Sequence, residues 1–365
     1  MSSLYEIALT LIPGVGVVTS RLLLDQFGGA EDVFKASRSQ LMAIAGVGPK
    51  TADSILSKSF LNRAEEELEF VKKYKIQTLF YTSPDYPQRL QNCYDAPVLL
   101  YYKGNSDLNK SKVISIVGTR NATGYGKELT DQLIEGLQQH DVLVISGLAY
   151  GIDVAAHRAC MKFGVPTIGV VGHGLDRIYP SQHRSLAESM LGCGGLLTEF
   201  ISQTKPDKEN FPKRNRIVAG LSDATIIVEA GLKGGALITA ELANSYDRDV
   251  MAYPGRVNDS YSAGCNFLIK SNRAHLVTGI KDVEYLLDWI PSAVPKQVND
   301  QLNLPLNLYG DEKVIVEFLQ TRASASLDEL QVITSLTQSK LAMVLLNLEM
   351  QDIIVVLPGK MYRLR

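Results

Sequence analysis

Five glycine-rich or basic loops carry the residues that could do chemistry. The first, residues 118 to 126 (GTRNATGYG), has neither the GxGxxG spacing of a dinucleotide fingerprint nor the GxxxxGK[ST] spacing of a nucleotide cradle. Gly118, Thr119 and Arg120 instead offer backbone N–H groups and a guanidinium fork to a phosphate. The second, SGLAYGIDVAAH from Ser146 to His157, opens a helix. Asp153 and His157 stand at i, i+4 on its face, and a mutual side-chain hydrogen bond is favoured there over an acid–base pair. The third loop runs from Gly172 to Pro180 and is followed by His183 and Arg184. Next comes the densest basic stretch, KPDKENFPKRNR from Lys205 to Arg216, where three Lys and two Arg outnumber two acids around Phe211. Cations beside an aromatic suit a sugar-phosphate backbone with a stacked base. Phe211 is the aromatic of that cluster, with Arg214 and Arg216 close by; Arg216 has the alternative of pairing with Asp223 or Glu229. The fifth loop, Glu229 to Thr239, is another glycine-rich helix start. The four cysteines are isolated, with no CxxC pair and no His at ligand spacing, so neither a disulfide framework nor a metal site is indicated, and no cofactor motif is present.

Short β-branched runs alternating with helical segments must position these loops. The runs 113–117, 142–146, 167–171, 196–198, 224–229 and 250–253 are apolar on both faces, and helices are expected at 124–139, 152–163, 181–191, 213–220 and 236–247. That pattern predicts a doubly wound, Rossmann-like α/β domain over 69–290, its loops at one sheet edge and 76–102 adding strands. Residues 1–68 hold a repeat, IPGVGVVTSR from Ile12 and IAGVGPKTAD from Ile44, read as a SAM-like tandem of helix-hairpin-helix units. There Gly14, Gly16, Gly46 and Gly48 are expected to allow positive φ, with Pro49 at a helix start. Residues 291–307 read as a linker, and 308–365 as three helices and a hairpin at Pro358-Gly359, a winged helix. Its third helix carries one Lys and no Arg, which favours protein contact or packing over DNA reading.

Composition bounds the function. The 365 residues have a net charge of -2, so general attraction to nucleic acid is absent and any such binding must rest on a local site. No run approaches the roughly 18 apolar residues of a membrane span, and the N-terminus carries no export signal, which makes the cytoplasm the expectation.

Several stretches together resemble the DNA-processing protein A (DprA, or Smf) family: GTR at 118–120, SGLAYGIDVAAH at 146–157, GLDRIYP at 174–180, FPKRNRIVAGLSD at 211–223, EAGLKGGALITAELA at 229–243 and DVMAYPG at 249–255. The resemblance implies a homodimeric, non-catalytic protein of natural transformation. It would protect incoming single-stranded DNA, work with single-strand-binding protein and load the recombinase RecA. It also assigns DNA contact to Arg120, Lys208 and Phe211, and to Arg184 where the family has a lysine. A rival enzymatic class is a nucleotide phosphoribohydrolase of the lysine-decarboxylase-like (LOG) type. GLKGGALITAE faintly resembles that family's PGGxGTxxE, with Glu241 as its carboxylate and departures at Lys233 and Ala236.

Overall fold

The repeated Gly-x-Gly turns each join two helices, and the rest of the N-terminal module is built around them. The computed structural model describes residues 2–289, 310–322, 324–351, 353–357 and 359–364. The expected linker at 291–307 and Pro358 lie outside these. The module comprises α1 (Ser2–Thr10), α2 (Val17–Phe27), α3 (Ala30–Val33), α4 (Arg38–Met42), α5 (Pro49–Ser57) and α6 (Leu61–Lys73). Gly14 and Gly46 take φ of +79° and +84°, whereas Gly16 and Gly48 are extended N-caps of α2 and α5. The expectation of positive φ at all four is corrected to two: only the first glycine of each turn reverses the chain. α6 runs through the 68–69 division, and its Val71 joins Ile7, Leu23 and Ile55 in a core that continues to Phe80, Leu99 and Tyr101 of the adjoining strands.

Those strands begin a nine-stranded sheet: β1 (Gln77–Phe80), β2 (Leu99–Gly104), β3 (Lys112–Val117), β4 (Val142–Ser146), β5 (Thr167–Val170), β6 (Gly194–Thr198), β7 (Ala224–Ile227), β8 (Asp249–Ala252) and β9 (His275–Leu276). Their order is β1-β2-β6-β5-β4-β3-β7-β8-β9. The strands β6 to β9 in that order are parallel, while β1 and β2 add antiparallel, as 76–102 was expected to extend the sheet. The short β9 carries no signal in the sequence reading. The helices are α7 (Gln88–Gln91), α8 (Gly124–Leu137), α9 (Ile152–Phe163), α10 (Arg184–Met190), α11 (Asn210–Gly220), α12 (Gly235–Ser245), α13 (Ala263–Lys270) and α14 (Ile280–Leu286). Alternation along β4 shows why its strand is apolar throughout. Leu143 and Ile145 enter the core shared with α11 and α12, and Val142 and Val144 the opposite core under α8, α9 and α14.

The C-terminal module has α15 (Asp311–Gln320), α16 (Leu327–Thr334), α17 (Gln338–Met350), and strands β10 (Ala325–Ser326), β11 (Ile354–Leu357) and β12 (Met361–Leu364) paired in the order β10-β12-β11. Three helices over a small sheet form the winged helix, closed around Ile315, Leu319, Leu330 and Leu345. Its wing touches the α/β domain, with Lys360 Nζ 3.3 Å from Asp247 and the Gly359 N–H donating to the Asp247 carbonyl. No helix among the described residues is long and apolar enough to cross a membrane, and no cluster of three metal-ligating side chains occurs among them.

Candidate nucleic-acid interface

Because β6, β5, β4, β3, β7 and β8 are parallel, the loops after them share one edge, where backbone groups pack closely enough to exclude side chains. A Cβ on Gly118 would stand 2.5 Å from Ile152 and 2.9 Å from the Glu229 carbonyl. Gly151, at φ +80°, lets the second loop press on the first; a Cβ there would lie 2.1 Å from the Thr119 carbonyl. The Thr119 N–H donates to Glu229 O at 2.7 Å and the Ile152 N–H to Thr119 O at 3.1 Å, which fixes the Gly118-Thr119-Arg120 turn. Gly147 leaves room for Arg214 and Asp153, either of which a Cβ would strike.

The expected Asp153–His157 hydrogen bond is absent and is corrected. His157 Nδ1 lies 2.7 Å from Thr167 Oγ1, and its Nε2 meets the Gly147 carbonyl. Asp153 accepts the N–H groups of Ala149 and Gly118 and lies 3.9 Å from Arg214 Nη1. The first half of α9 is buried on nearly every side, so the two residues reach different neighbours. Burial pushes the Asp153 carboxyl up, opposed by Arg214, and drives His157 down to about 4. His157 is a neutral core residue.

Phe211 stands at the second position of α11, which begins three residues before its expected start. Its ring lies over Gly172, where a Cβ would come 3.4 Å away. The Arg120 guanidinium stacks 5.3 Å from the Phe211 centroid, and the Tyr179 ring lies 6.3 Å away on a tilt of 35°. These groups, with Tyr150, His173 and Arg214, line a depression of about 60 Å³. His173 braces its rim: Nδ1 lies 2.9 Å from the Gly174 carbonyl, while Nε2 accepts the Tyr179 N–H at 3.2 Å. Lys208 is exposed just before Phe211, and Arg184 is exposed at the start of α10. Among the described residues Arg120, Arg184 and Lys208 have no carboxylate partner, so their charge is available to a ligand. Tyr150 and Tyr179, 43% and 47% exposed, were missed in the sequence reading. Their signal was position: each sits inside a glycine- or proline-bearing loop motif at the same edge.

The structure divides the other two arginines. Arg214 is buried and lines the depression. Arg216 pairs with Glu199 and donates to the Asp95 carbonyl, and it is not part of the lining. Neither expected partner is available to it. Asp223 is held by Arg89 at 2.6 Å, and Glu229 accepts the Thr123 hydroxyl and N–H at 2.5 and 2.9 Å. That Glu229 carboxylate fills the crevice between β3 and β7, where the connections diverge and a phosphate would otherwise meet the α8 N-terminus. Glu241, the carboxylate of the hydrolase reading, is exposed and lies 3.4 Å from Arg273.

Fold and edge together define a Rossmann-like α/β protein carrying a helix-hairpin-helix tandem and a winged helix. The family model described as DNA recombination-mediator protein A matches residues 77–288, a SAM-like helix-hairpin-helix tandem matches 6–58 and the DprA winged helix domain matches 304–360. The chain belongs to the DNA recombination-mediator protein A family, whose members are named DprA or Smf. It is 33% identical to protein Smf of Synechocystis over 99% of this chain and 98% of that one, and 43% identical to DNA processing protein DprA of Streptococcus pneumoniae over 54% and 70%. The X-ray structure of the Streptococcus pneumoniae DprA superposes with a TM-score of 0.68 at 34% identity, covering 77% of this chain and 97% of that one. A Helicobacter pylori DNA processing protein A, whose structure concerns that protein's single-stranded DNA binding mode, gives 0.53 at 30% identity over 58% and 95%.

Proposed function

We propose that the loop edge binds single-stranded DNA without reading its sequence, in a protein that acts in natural transformation. Arg120, Arg184 and Lys208 take phosphates with help from the Gly118 and Thr119 backbone, Phe211 stacks a base, and Arg214 stiffens the floor. Arg216 holds α11 in place. The observation that carries this reading is the Arg120–Phe211 stack flanked by cations without carboxylate partners. Family membership supports the rest: protection of incoming strands, RecA loading, exchange with single-strand-binding protein, homodimeric assembly and a cytoplasmic setting. Two linked sites in a dimer would add avidity to modest single-site binding.

Fluorescence anisotropy with labelled oligothymidylate tests the site. Arg120→Ala combined with Lys208→Ala should weaken binding by roughly 10-fold or more; unchanged affinity removes this pocket from the account. The hydrolase reading predicts release of free base from nucleoside monophosphates that is lost in Glu241→Gln. The Arg273 contact of Glu241 and the small depression both favour the binding protein.

A further inference from the structure

The path proposed above lies over β5, β4 and β3, yet the same edge continues over β7 and β8. The loops there combine an exposed apolar side chain with a cation, whereas in the Lys208–Phe211 stretch the aromatic is half-buried over Gly172. After β7 stand Leu232, 63% exposed, and Lys233; after β8 stand Arg256 and Val257, 89% exposed. Among the described residues neither cation has a salt-bridge partner. The two loops are braced together: the Gly264 N–H donates to the Ala230 carbonyl at 2.7 Å, and a Cβ on Gly231 would lie 3.3 Å from Ser260 O. Five residues after Arg120 comes Tyr125, 54% exposed in the first turn of α8 and near Tyr253, which directly follows β8. The adjoining Gly126 is pressed on the Glu229 carboxylate, which a Cβ would strike at 2.2 Å, so this turn sits tight on the sheet edge with its aromatic in solvent.

We infer that this half of the edge is a second single-strand subsite, in which Tyr125 stacks a base and Lys233 and Arg256 hold phosphates. The inference rests on the single-strand reading above and extends it. With neighbouring strands about 4.8 Å apart, the path from β5 to β8 spans about 19 Å, the length of about six nucleotides stacked at 3.4 Å each. Aromatic faces alternating with cations along such a path give sequence-tolerant binding.

The test compares oligothymidylates of about four and about 20 residues on the full chain. Lys233→Ala with Arg256→Ala should weaken the long strand roughly 10-fold. It should also reduce the slope of log affinity against log salt by about 1.4, since each single-strand phosphate contact contributes about 0.7. The short strand, held at Arg120 and Phe211, should bind as in the wild type. Tyr125→Trp should add a fluorophore that the long strand quenches, measured against the wild-type signal of Trp289. An unchanged salt slope, equal losses on both lengths, or an unquenched reporter in a chain that still binds would each overturn the second subsite and leave the first standing. Failure of the wild type to bind either strand would remove both.

Discussion

Arg120 and Arg216 are both candidate DNA contacts by sequence, and they differ in what surrounds each guanidinium. Arg216 and Glu199 are almost fully withdrawn from water, at 12% and 14% side-chain exposure, so each charge depends on the other. Burial pushes the Glu199 carboxyl up and the Arg216 guanidinium opposes that rise. Arg216→Met should therefore cost about 3 kcal/mol, the usual scale for stranding one partner of a buried pair. Arg120→Ala, at an exposed position, should change stability by less than about 0.5 kcal/mol. Urea denaturation of both variants checks this; equal costs would return Arg216 to the exposed cations. The sequence made the cations of 205–216 legible as a group but not their division, because Glu199 lies just after β6, outside that stretch, and carries no local mark. The Asp153–His157 pairing failed for a related reason. Spacing on a helix decides contacts only where the helix has one solvent face, and the start of α9 has almost none.

At the scale of elements, apolar runs and glycine turns located β1 to β8 and α8 to α12 of the α/β domain but did not mark α7, α13, α14 or β9, and the differences within the located elements lie where backbone conformation is set by neighbours. α11 starts at Asn210 rather than 213 because Pro212 occupies its first turn, where an N–H has no intrahelical acceptor to lose. That early start places Phe211 on the helix and over Gly172 instead of on a free loop. In the helix-hairpin-helix repeat, four glycines looked equivalent, yet only Gly14 and Gly46 adopt positive φ. Gly14→Ala and Gly46→Ala should each lower stability by about 1 to 2 kcal/mol, the cost of placing a Cβ in the left-handed region. Gly16→Ala and Gly48→Ala, extended and with nothing within 4 Å of the new methyl group, should be close to neutral. Thermal unfolding of the four variants separates the two classes, and a uniform loss across all four would show that the turns need glycine for close approach rather than for φ.

Across the whole molecule, the net charge of -2 and the basic edge are compatible because Arg120, Arg184 and Lys208 stand exposed without carboxylate partners at one sheet edge, while several other arginines are held in internal contacts, two of which join modules. Arg21 of α2 donates to the carbonyls of Cys93, Tyr94 and Ala96 at 3.1, 3.1 and 2.8 Å and stacks 4.4 Å above Tyr81. From the other side of the same turn, Arg216 of α11 donates to the Asp95 carbonyl and Tyr246 to the Asp95 carboxylate at 2.7 Å. The 93–96 turn is thus gripped both by the helical module and by the helix that carries Phe211. Nothing in the composition of 93–96 announces this, since the contacts use backbone carbonyls. A second tie, Arg63 with Glu67 and Ser202, joins α6 to the segment after β6. Hydrogen bonds from a charged donor contribute about 1.5 to 3 kcal/mol each and are not additive, so Arg21→Met should loosen the module without unfolding the sheet. Hydrogen exchange should then rise by one to two orders of magnitude, from a local loss of about 2 kcal/mol, in α1 to α6 and the adjoining β1 and β2. The central strands β3, β4 and β7 should keep their protection, because their two cores lie beyond the shared helical one. A uniform rise over all strands would mean that helical module and sheet open as a single cooperative unit, and the 93–96 turn would then be part of the core rather than a joint.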